Sequence, residues 1–106
     1  MQTYYKTTLE DTLYDEDTAV LTYKINYPCI SSSFCSVQSI NDFYYREAKN
    51  SENYCRTILY QQALENAKDT QARPFNSYEF IIDFTVTYNE KCILSLYTDT
   101  YTYTGG

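Results

Sequence analysis

Apolar and polar residues alternate in two stretches of the chain, and alternation of this kind predicts β-strands. In residues 19–27, AVLTYKINY, the side chains of Leu21, Tyr23 and Ile25 would share one face. Residues 80–88, FIIDFTVTY, alternate in the same way. Each segment therefore predicts a strand with one buried face and one polar face.

Each of these strands has a neighbour in sequence with which it would form a hairpin. Residues 3–9, TYYKTTL, are rich in strand-forming residues, and the acidic turn LYDEDT at 13–18 connects them to the strand that Pro28 would end. Near the other end of the chain, NEK predicts a turn into CILSLYTDTYTYT, residues 92–104. The sequence therefore predicts one hairpin near each end.

Between the hairpins the apolar period lengthens to about 3.6 residues, which predicts a helix from about residue 34 to residue 70. Ser31–Ser33 would supply its N-cap, NSEN at 50–53 is where it would kink, and Arg73-Pro74 marks its exit. The apolar stripe consists of Val37, Ile40, Tyr44, Ala48, Cys55, Ile58, Leu59 and Ala63.

The predicted order of elements is ββ-α-ββ, and the fold class is α+β: one long helix packed on an antiparallel sheet of about four strands. A chain of 106 residues suits a single domain. No apolar run approaches the roughly 18 residues of a membrane helix, so no membrane-spanning segment is predicted. No signal peptide opens the sequence, and we interpret residues 1–106 as an extracellular or cell-envelope module from which a signal or anchor has been removed.

The chain is acidic, with a net charge of −6 and a pI of about 4.4. Nucleic acid is therefore not a predicted partner, because binding it depends on neutralising phosphates. A cationic protein would instead be attracted over long range. The cluster of Asp11, Asp15, Glu16 and Asp17 lacks the glycine and the spacing of a calcium-binding EF-hand loop, so we interpret it as a solvated turn and predict no metal site.

The four cysteines, Cys29, Cys35, Cys55 and Cys92, predict disulfides, because the chain has no histidine and their spacings match no zinc pattern. Cys35 and Cys55 would lie about 30 Å apart on one helix and could not pair. Two arrangements remain. We favour Cys29–Cys35 with Cys55–Cys92, since residues 30–34 can form a short loop; the other is Cys29–Cys55 with Cys35–Cys92, and free thiols are the alternative to both.

Little in the sequence supports catalysis. The absence of histidine removes the commonest general base, and no two acids are placed as glycoside hydrolysis requires. The two glycines cannot form a phosphate-binding loop. We therefore predict no catalytic residue, no enzymatic activity of this chain and no cofactor.

Tyrosine is the conspicuous residue type, with 14 in the chain. On the last predicted strand, Tyr97, Tyr101 and Tyr103 would share one face because their spacing is even. Such a face can stack on sugar rings or anchor a protein partner, and it is the candidate binding face. The alternative is a face of strand-forming residues with a purely structural role.

Two motifs are similar to those of a known family. They are Tyr27-Pro28-Cys29-Ile30-Ser31, which leads into the long helix, and the closing Tyr101-Thr102-Tyr103-Thr104-Gly105-Gly106. With the tyrosine-rich first hairpin, they resemble the amino-terminal domain of PdaC-type peptidoglycan deacetylases and of the lysozyme-sensing anti-sigma factor RsiV, over most of residues 17–106. In that family the last strand continues as Y-T-G-G-A-H-G into a second domain. The four cysteines are not part of the family pattern.

The resemblance implies that Gly105 and Gly106 form the junction to a following domain that this sequence does not contain. It also implies a non-catalytic binding or sensing module of a bacterial cell-envelope protein, with a cationic protein such as lysozyme as partner. One alternative is an accessory domain that binds cell-wall glycan for a deacetylase. The other is a purely structural half of a two-domain unit.

Overall fold

The protein is described by a computed structural model that covers residues 2–32, 37–68, 76–90 and 93–104. Strands β1 (Gln2–Asp15) and β2 (Thr18–Ser32) form the first hairpin. Helix α1 (Gln38–Tyr54), a π-helical turn (Cys55–Leu59) and helix α2 (Tyr60–Lys68) follow as one continuous rod. Strands β3 (Tyr78–Glu90) and β4 (Ile93–Tyr103) form the second hairpin. The predicted α+β class and ββ-α-ββ order are confirmed.

The four strands form one sheet in the order β1-β2-β3-β4. Each hairpin is antiparallel, as predicted, but β2 and β3 are parallel over Leu21–Ile25 and Tyr78–Ile82. The prediction of a wholly antiparallel sheet is therefore wrong at the central pair. The helix is the physical reason, because it carries the chain back along the sheet so that β3 runs in the same direction as β2.

The core lies between the helical rod and strand β2. The predicted alternation of β2 is confirmed at Leu21, Tyr23 and Ile25, which are all buried. Val20 and Asn26 are also buried, contrary to the predicted pattern. Val20 is the extra residue of a β-bulge opposite β1, where the register shifts, and such bulges re-aim a side chain. The rest of the core comes from Ala48, Cys55, Leu59, Ala63, Tyr78 and Phe80.

The helical rod departs from regular α-helix at the π-helical turn and not at the predicted kink over residues 50–53. Of the predicted apolar stripe, Cys55 and Leu59 are buried, whereas the side chain of Ile58 is 54% exposed. Adjacent residues of a helix point about 100° apart, so Ile58 cannot face the sheet together with Leu59. The prediction for Ile58 is therefore wrong.

Strand β2 continues past Pro28, where the sequence predicted its end. Beyond Ile25 it pairs with β1 alone, and a strand with one free edge tolerates a proline. Asn41 of α1 covers part of that edge, because its side-chain amide donates to the Ile30 carbonyl (3.0 Å) and accepts from the Ile30 N–H (2.8 Å). Ser31 and Ser32 are therefore strand residues, and α1 begins with no side-chain cap.

The domain is long and narrow, with principal extents of 59 × 20 × 18 Å. The helix packs mainly on β2, and β3 pairs with β4 alone beyond Ile82. Beyond Ile82 the second hairpin is therefore a two-stranded ribbon. Within the described residues, no helix is long and apolar enough to cross a membrane.

Candidate functional site

The tyrosines of β4 lie on the side of the sheet that faces away from the helix. In the register of the second hairpin, Tyr97, Tyr101 and Tyr103 stand opposite Thr85, Ile81 and Glu79. The alternate residues of β3, among them Phe80, belong to the helix side and the core. Tyr97 and Tyr101 are 53% and 51% exposed. The three tyrosines therefore share one outer face, and its role in binding stays a prediction.

Carboxylates alternate with these tyrosines on the same face. Asp99 lies between Tyr97 and Tyr101 on β4 and directly opposite Asp83 of β3, while Glu79 stands opposite Tyr103. We call this set the tyrosine–carboxylate face; it consists of Glu79, Asp83, Tyr97, Asp99, Tyr101 and Tyr103.

Asp83 is held in its charged form. Its carboxylate accepts from the Phe84 N–H at 2.9 Å and lies 3.1 Å from the Lys6 ammonium. These interactions, the backbone one first, lower the pKa of Asp83 below its ordinary value. The Asp83 carboxylate is therefore charged at neutral pH, and the Lys6 ammonium balances that charge.

A groove lies on the opposite side of the second hairpin, between the helix and the sheet. It has a volume of about 340 Å³. Its wall on α1 carries Phe43, Tyr44 and Glu47. Its floor on the sheet includes Tyr27 and Phe84. The groove exists because the helix packs on β2 and leaves the helix side of β3 and β4 partly open. We call it the aromatic groove. No local sequence pattern predicts it, because it depends on where the helix lies.

A polar network around the buried side chain of Tyr23 joins the helix to the first hairpin. Tyr23 is only 1% exposed. Its hydroxyl donates to Glu52 at 2.7 Å and accepts from Arg56 Nε at 3.0 Å. Arg56 also pairs with Asp11, and Glu52 accepts from Lys49 at 2.6 Å. Burial and the bond to Glu52 raise the pKa of Tyr23 to about 12. The network thus fixes a neutral tyrosine between two oppositely charged side chains.

Asp11 of the predicted acidic cluster is part of this network, while Glu16 and Asp17 form the turn of the first hairpin. Glu16 adopts a φ of 56°, in the left-handed region. Among the described residues, no group of histidine, cysteine and acidic side chains is arranged to hold a metal ion.

The predicted disulfides are not confirmed. Cys29 is a half-buried free thiol and Cys55 a fully buried one. Burial, with a smaller contribution from Glu52, raises the pKa of the Cys55 thiol to about 12. Cys35 and Cys92 lie outside the described residues.

The predicted junction, Gly105 and Gly106, also lies outside the described residues. Thr104, which precedes it, is exposed.

Comparison with known protein families identifies the family of the chain. The sequence pattern of the family described as deacetylase PdaC matches residues 14–106. The chain belongs to the PdaC family. The resemblance found over residues 17–106 is thereby confirmed. The match spans β2, the helical rod and the second hairpin, whereas most of β1 lies before its first residue.

A solved structure has the same fold as this PdaC-family domain. It is a member of the DUF3298 family from Bacteroides fragilis NCTC 9343, with a TM-score of 0.62 and 19% sequence identity. The alignment covers 99% of the present chain and 51% of the solved one, so the PdaC-family domain spans about half the length of that relative. At this identity the likeness shows the fold alone. No curated protein matches the chain.

Proposed function

We propose that the domain is a non-catalytic recognition module of a bacterial cell-envelope protein, and that it binds a cationic protein, such as a C-type lysozyme, through the tyrosine–carboxylate face. The observation that carries the proposal is the alternation of half-exposed tyrosines with carboxylates on one outer face. Residues two apart on a strand are separated by about 6.6 Å, so Tyr97, Asp99 and Tyr101 form a compact row.

The two residue types would make different contributions to binding. Tyrosine buries a large apolar ring at low entropic cost and offers a hydroxyl, which is why it is enriched among the residues that dominate interface affinity. Carboxylates attract a cationic partner and set its orientation. The net charge of −6 would strengthen the long-range attraction.

Calorimetric titration of the domain with a C-type lysozyme tests the proposal at low and at physiological salt. Binding that persists at physiological salt supports it. Tyr101→Ala should weaken binding about tenfold or more, because an interface anchor contributes on the order of 1–2 kcal/mol or more. Tyr14→Ala is the matched control, since Tyr14 is similarly exposed (54%) but lies near the turn of the first hairpin. Equal loss in both variants, or binding that vanishes with salt, contradicts the proposal.

A second candidate uses the same face for cell-wall glycan, in an accessory domain of a deacetylase. The observation that favours it is the pair of exposed rings of Tyr97 and Tyr101 on one sheet face, a surface on which sugar rings can stack. The family description, which names a deacetylase, supports this candidate. Asp99→Asn distinguishes the two: it should weaken the binding of a cationic protein and leave the binding of an uncharged chitooligosaccharide unchanged.

We also propose that the domain functions beside a second domain in the full protein, since the solved relative is about twice as long as this chain. If neither lysozyme nor glycan binds, the remaining candidate is the structural one, in which the domain is half of such a unit.

A further inference from the structure

The aromatic groove has the composition of a site for an organic cation. Phe43 and Tyr44 meet edge to face, with ring centroids 5.1 Å apart and an interplanar angle of 83°, so their rings form a corner. Phe43 is 50% exposed although it lies at the groove, which leaves ring surface accessible to a ligand. Tyr27 and Phe84 add rings from the sheet side.

The groove also carries an acidic group next to that corner. Glu47 lies four residues after Phe43 on α1, so the two side chains are neighbours on the same side of the helix. Of the described residues that line the groove, Glu47 is the only charged one. The electrostatic character of the site is therefore negative, with ring faces that also favour positive charge.

One ring of the groove already has a cation–π contact within the chain, made by Lys6, which does not line the groove. Lys6 Nζ lies 5.8 Å from the centroid of the Phe84 ring. Its own charge is balanced by Asp83, at 3.1 Å. Among the described residues, the salt bridges involve Asp83, Glu52 and Asp11, and none involves Glu47.

We propose that the aromatic groove is a second binding site, for a lysine or arginine side chain presented by a flexible peptide segment. The aliphatic stem would lie along the exposed ring of Phe43, beside Tyr44, and the cationic head would pair with Glu47. This site lies on the opposite side of the second hairpin from the tyrosine–carboxylate face and does not depend on it. The combination of ring faces with one carboxylate is what selects a cationic side chain over an apolar one.

The test is a titration of the labelled domain with short blocked peptides, followed by two-dimensional NMR. One peptide carries a central lysine between glycine and serine residues, and its partner carries norleucine, which has a similar stem and no charge. The lysine peptide should bind about tenfold more tightly, as expected for a partly desolvated cation–π contact with a counter-charge. The amide signals that move should be those of residues around Phe43, Glu47 and Phe84.

Variants separate the groove from general charge attraction. Glu47→Gln should lower the affinity for the lysine peptide about fivefold, whereas Glu65→Gln, the same charge change at an exposed position of α2, should leave it unchanged. Phe43→Ala should weaken binding, and Ile58→Ala, which removes a similarly exposed apolar side chain (54%) from the same rod, should not. Because all four positions are exposed, the variants should retain the signal dispersion of the folded domain.

Three results would overturn the proposal. The first is equal affinity for the lysine and norleucine peptides. The second is an equal loss in Glu47→Gln and Glu65→Gln, which would indicate net charge alone. The third is signal movement confined to β4 residues of the tyrosine–carboxylate face. None of these results bears on lysozyme binding, so the two proposals can fail separately.

Discussion

At the scale of single residues, Tyr23 illustrates how a polar atom is accommodated in the core. Its ring packs with the apolar residues of β2 and the helix, while its hydroxyl is paired with both Glu52 and Arg56. A buried polar group is tolerated only when it is hydrogen-bonded, because leaving it unpaired costs about 1–3 kcal/mol. The pairing therefore makes this tyrosine both a core residue and an attachment point for the helix.

Tyr23→Phe should lower the free energy of unfolding by about 1–2 kcal/mol, since Glu52 and Arg56 each lose a partner but keep Lys49 and Asp11. Urea denaturation measures the change. Tyr14→Phe, which removes a hydroxyl from an exposed ring, is the control and should have little effect. A loss of equal size in both variants would show that the network contributes nothing specific.

Two buried groups should make the domain sensitive to alkaline pH. The pKa of Cys55 rises from an ordinary 9.0 to about 12 in the folded state, and that of Tyr23 from 10.0 to about 12. A raised pKa in the folded state means that stability is complete below the unfolded value and falls as pH rises toward the folded value. The free energy of unfolding should therefore decline from about pH 9, where Cys55 begins to ionise in the unfolded chain.

Cys55→Ala tests the contribution of the thiol. Urea denaturation at a series of pH values should show that the free energy of unfolding of this variant begins to decline at a higher pH, near pH 10, where Tyr23 begins to contribute. Both proteins are measured with a reducing agent, so the other cysteines contribute equally. Identical pH profiles for the two proteins would contradict the assignment to Cys55.

At the scale of elements, the separation of the two hairpins has to be stabilised by side chains. Where β2 and β3 diverge after Ile25 and Ile82, main-chain groups lose their strand partners. Asn26 donates to the Ile82 carbonyl at 3.0 Å, and Asn41 of α1 bonds both main-chain polar groups of Ile30. Where the sheet divides, these two side-chain amides make hydrogen bonds that a neighbouring strand would otherwise make.

Asn41→Ala should therefore destabilise the domain by about 1–3 kcal/mol, because it leaves the N–H and carbonyl of Ile30 without their side-chain partner. Asn53→Ala is the matched control, since Asn53 is exposed on the same helix. Thermal or chemical denaturation compares the two. A change in the Asn41 variant no larger than that of the control would mean that water satisfies Ile30 equally well.

A feature of these elements could be predicted from the sequence when it depends only on residues close together in the chain. The burial of Leu21, Tyr23 and Ile25 follows from alternation within one strand, so the sequence was sufficient. The parallel pairing of β2 with β3 joins residues more than 50 positions apart, and no local pattern specifies it. Ile58 and Leu59 are adjacent on the helical rod and cannot both face the sheet, and the apolar pattern alone did not decide which of the two is buried.

The two candidate sites also differ in whether residues close together in the chain are sufficient to predict them. Tyr97, Tyr101 and Tyr103 could be placed on one face because an even spacing along a strand is sufficient. The aromatic groove brings together side chains from α1, β2 and β3, so its existence depends on the position of the helix over the sheet. Only the assembled structure shows it.

At the scale of the whole molecule, the elongated shape distinguishes this domain from a compact one. Its radius of gyration, over Cα atoms, is 17.2 Å. A compact domain of about 100 residues has a value near 13 Å. The difference arises because the strands are long: β2 alone has 15 residues, which span about 50 Å.

Small-angle X-ray scattering of the monomer should give a radius of gyration near 17.2 Å. A value near 13 Å would contradict the elongated shape. Size-exclusion chromatography with light scattering, run on the same sample, establishes that the measured particle is a monomer.

The register of the sheet has a mechanical consequence. Gln2 and Tyr103 lie about ten residues apart along the sheet, because β1 begins opposite Ser32 and β4 ends opposite Glu79, which pairs with Thr22. Tension applied between them would load the ladders in shear, so that the bonds of a ladder share the force. The parallel ladder between β2 and β3 is the shortest, with five residue pairs, and it would rupture first. Under load the domain would then part into two hairpins that each remain intact.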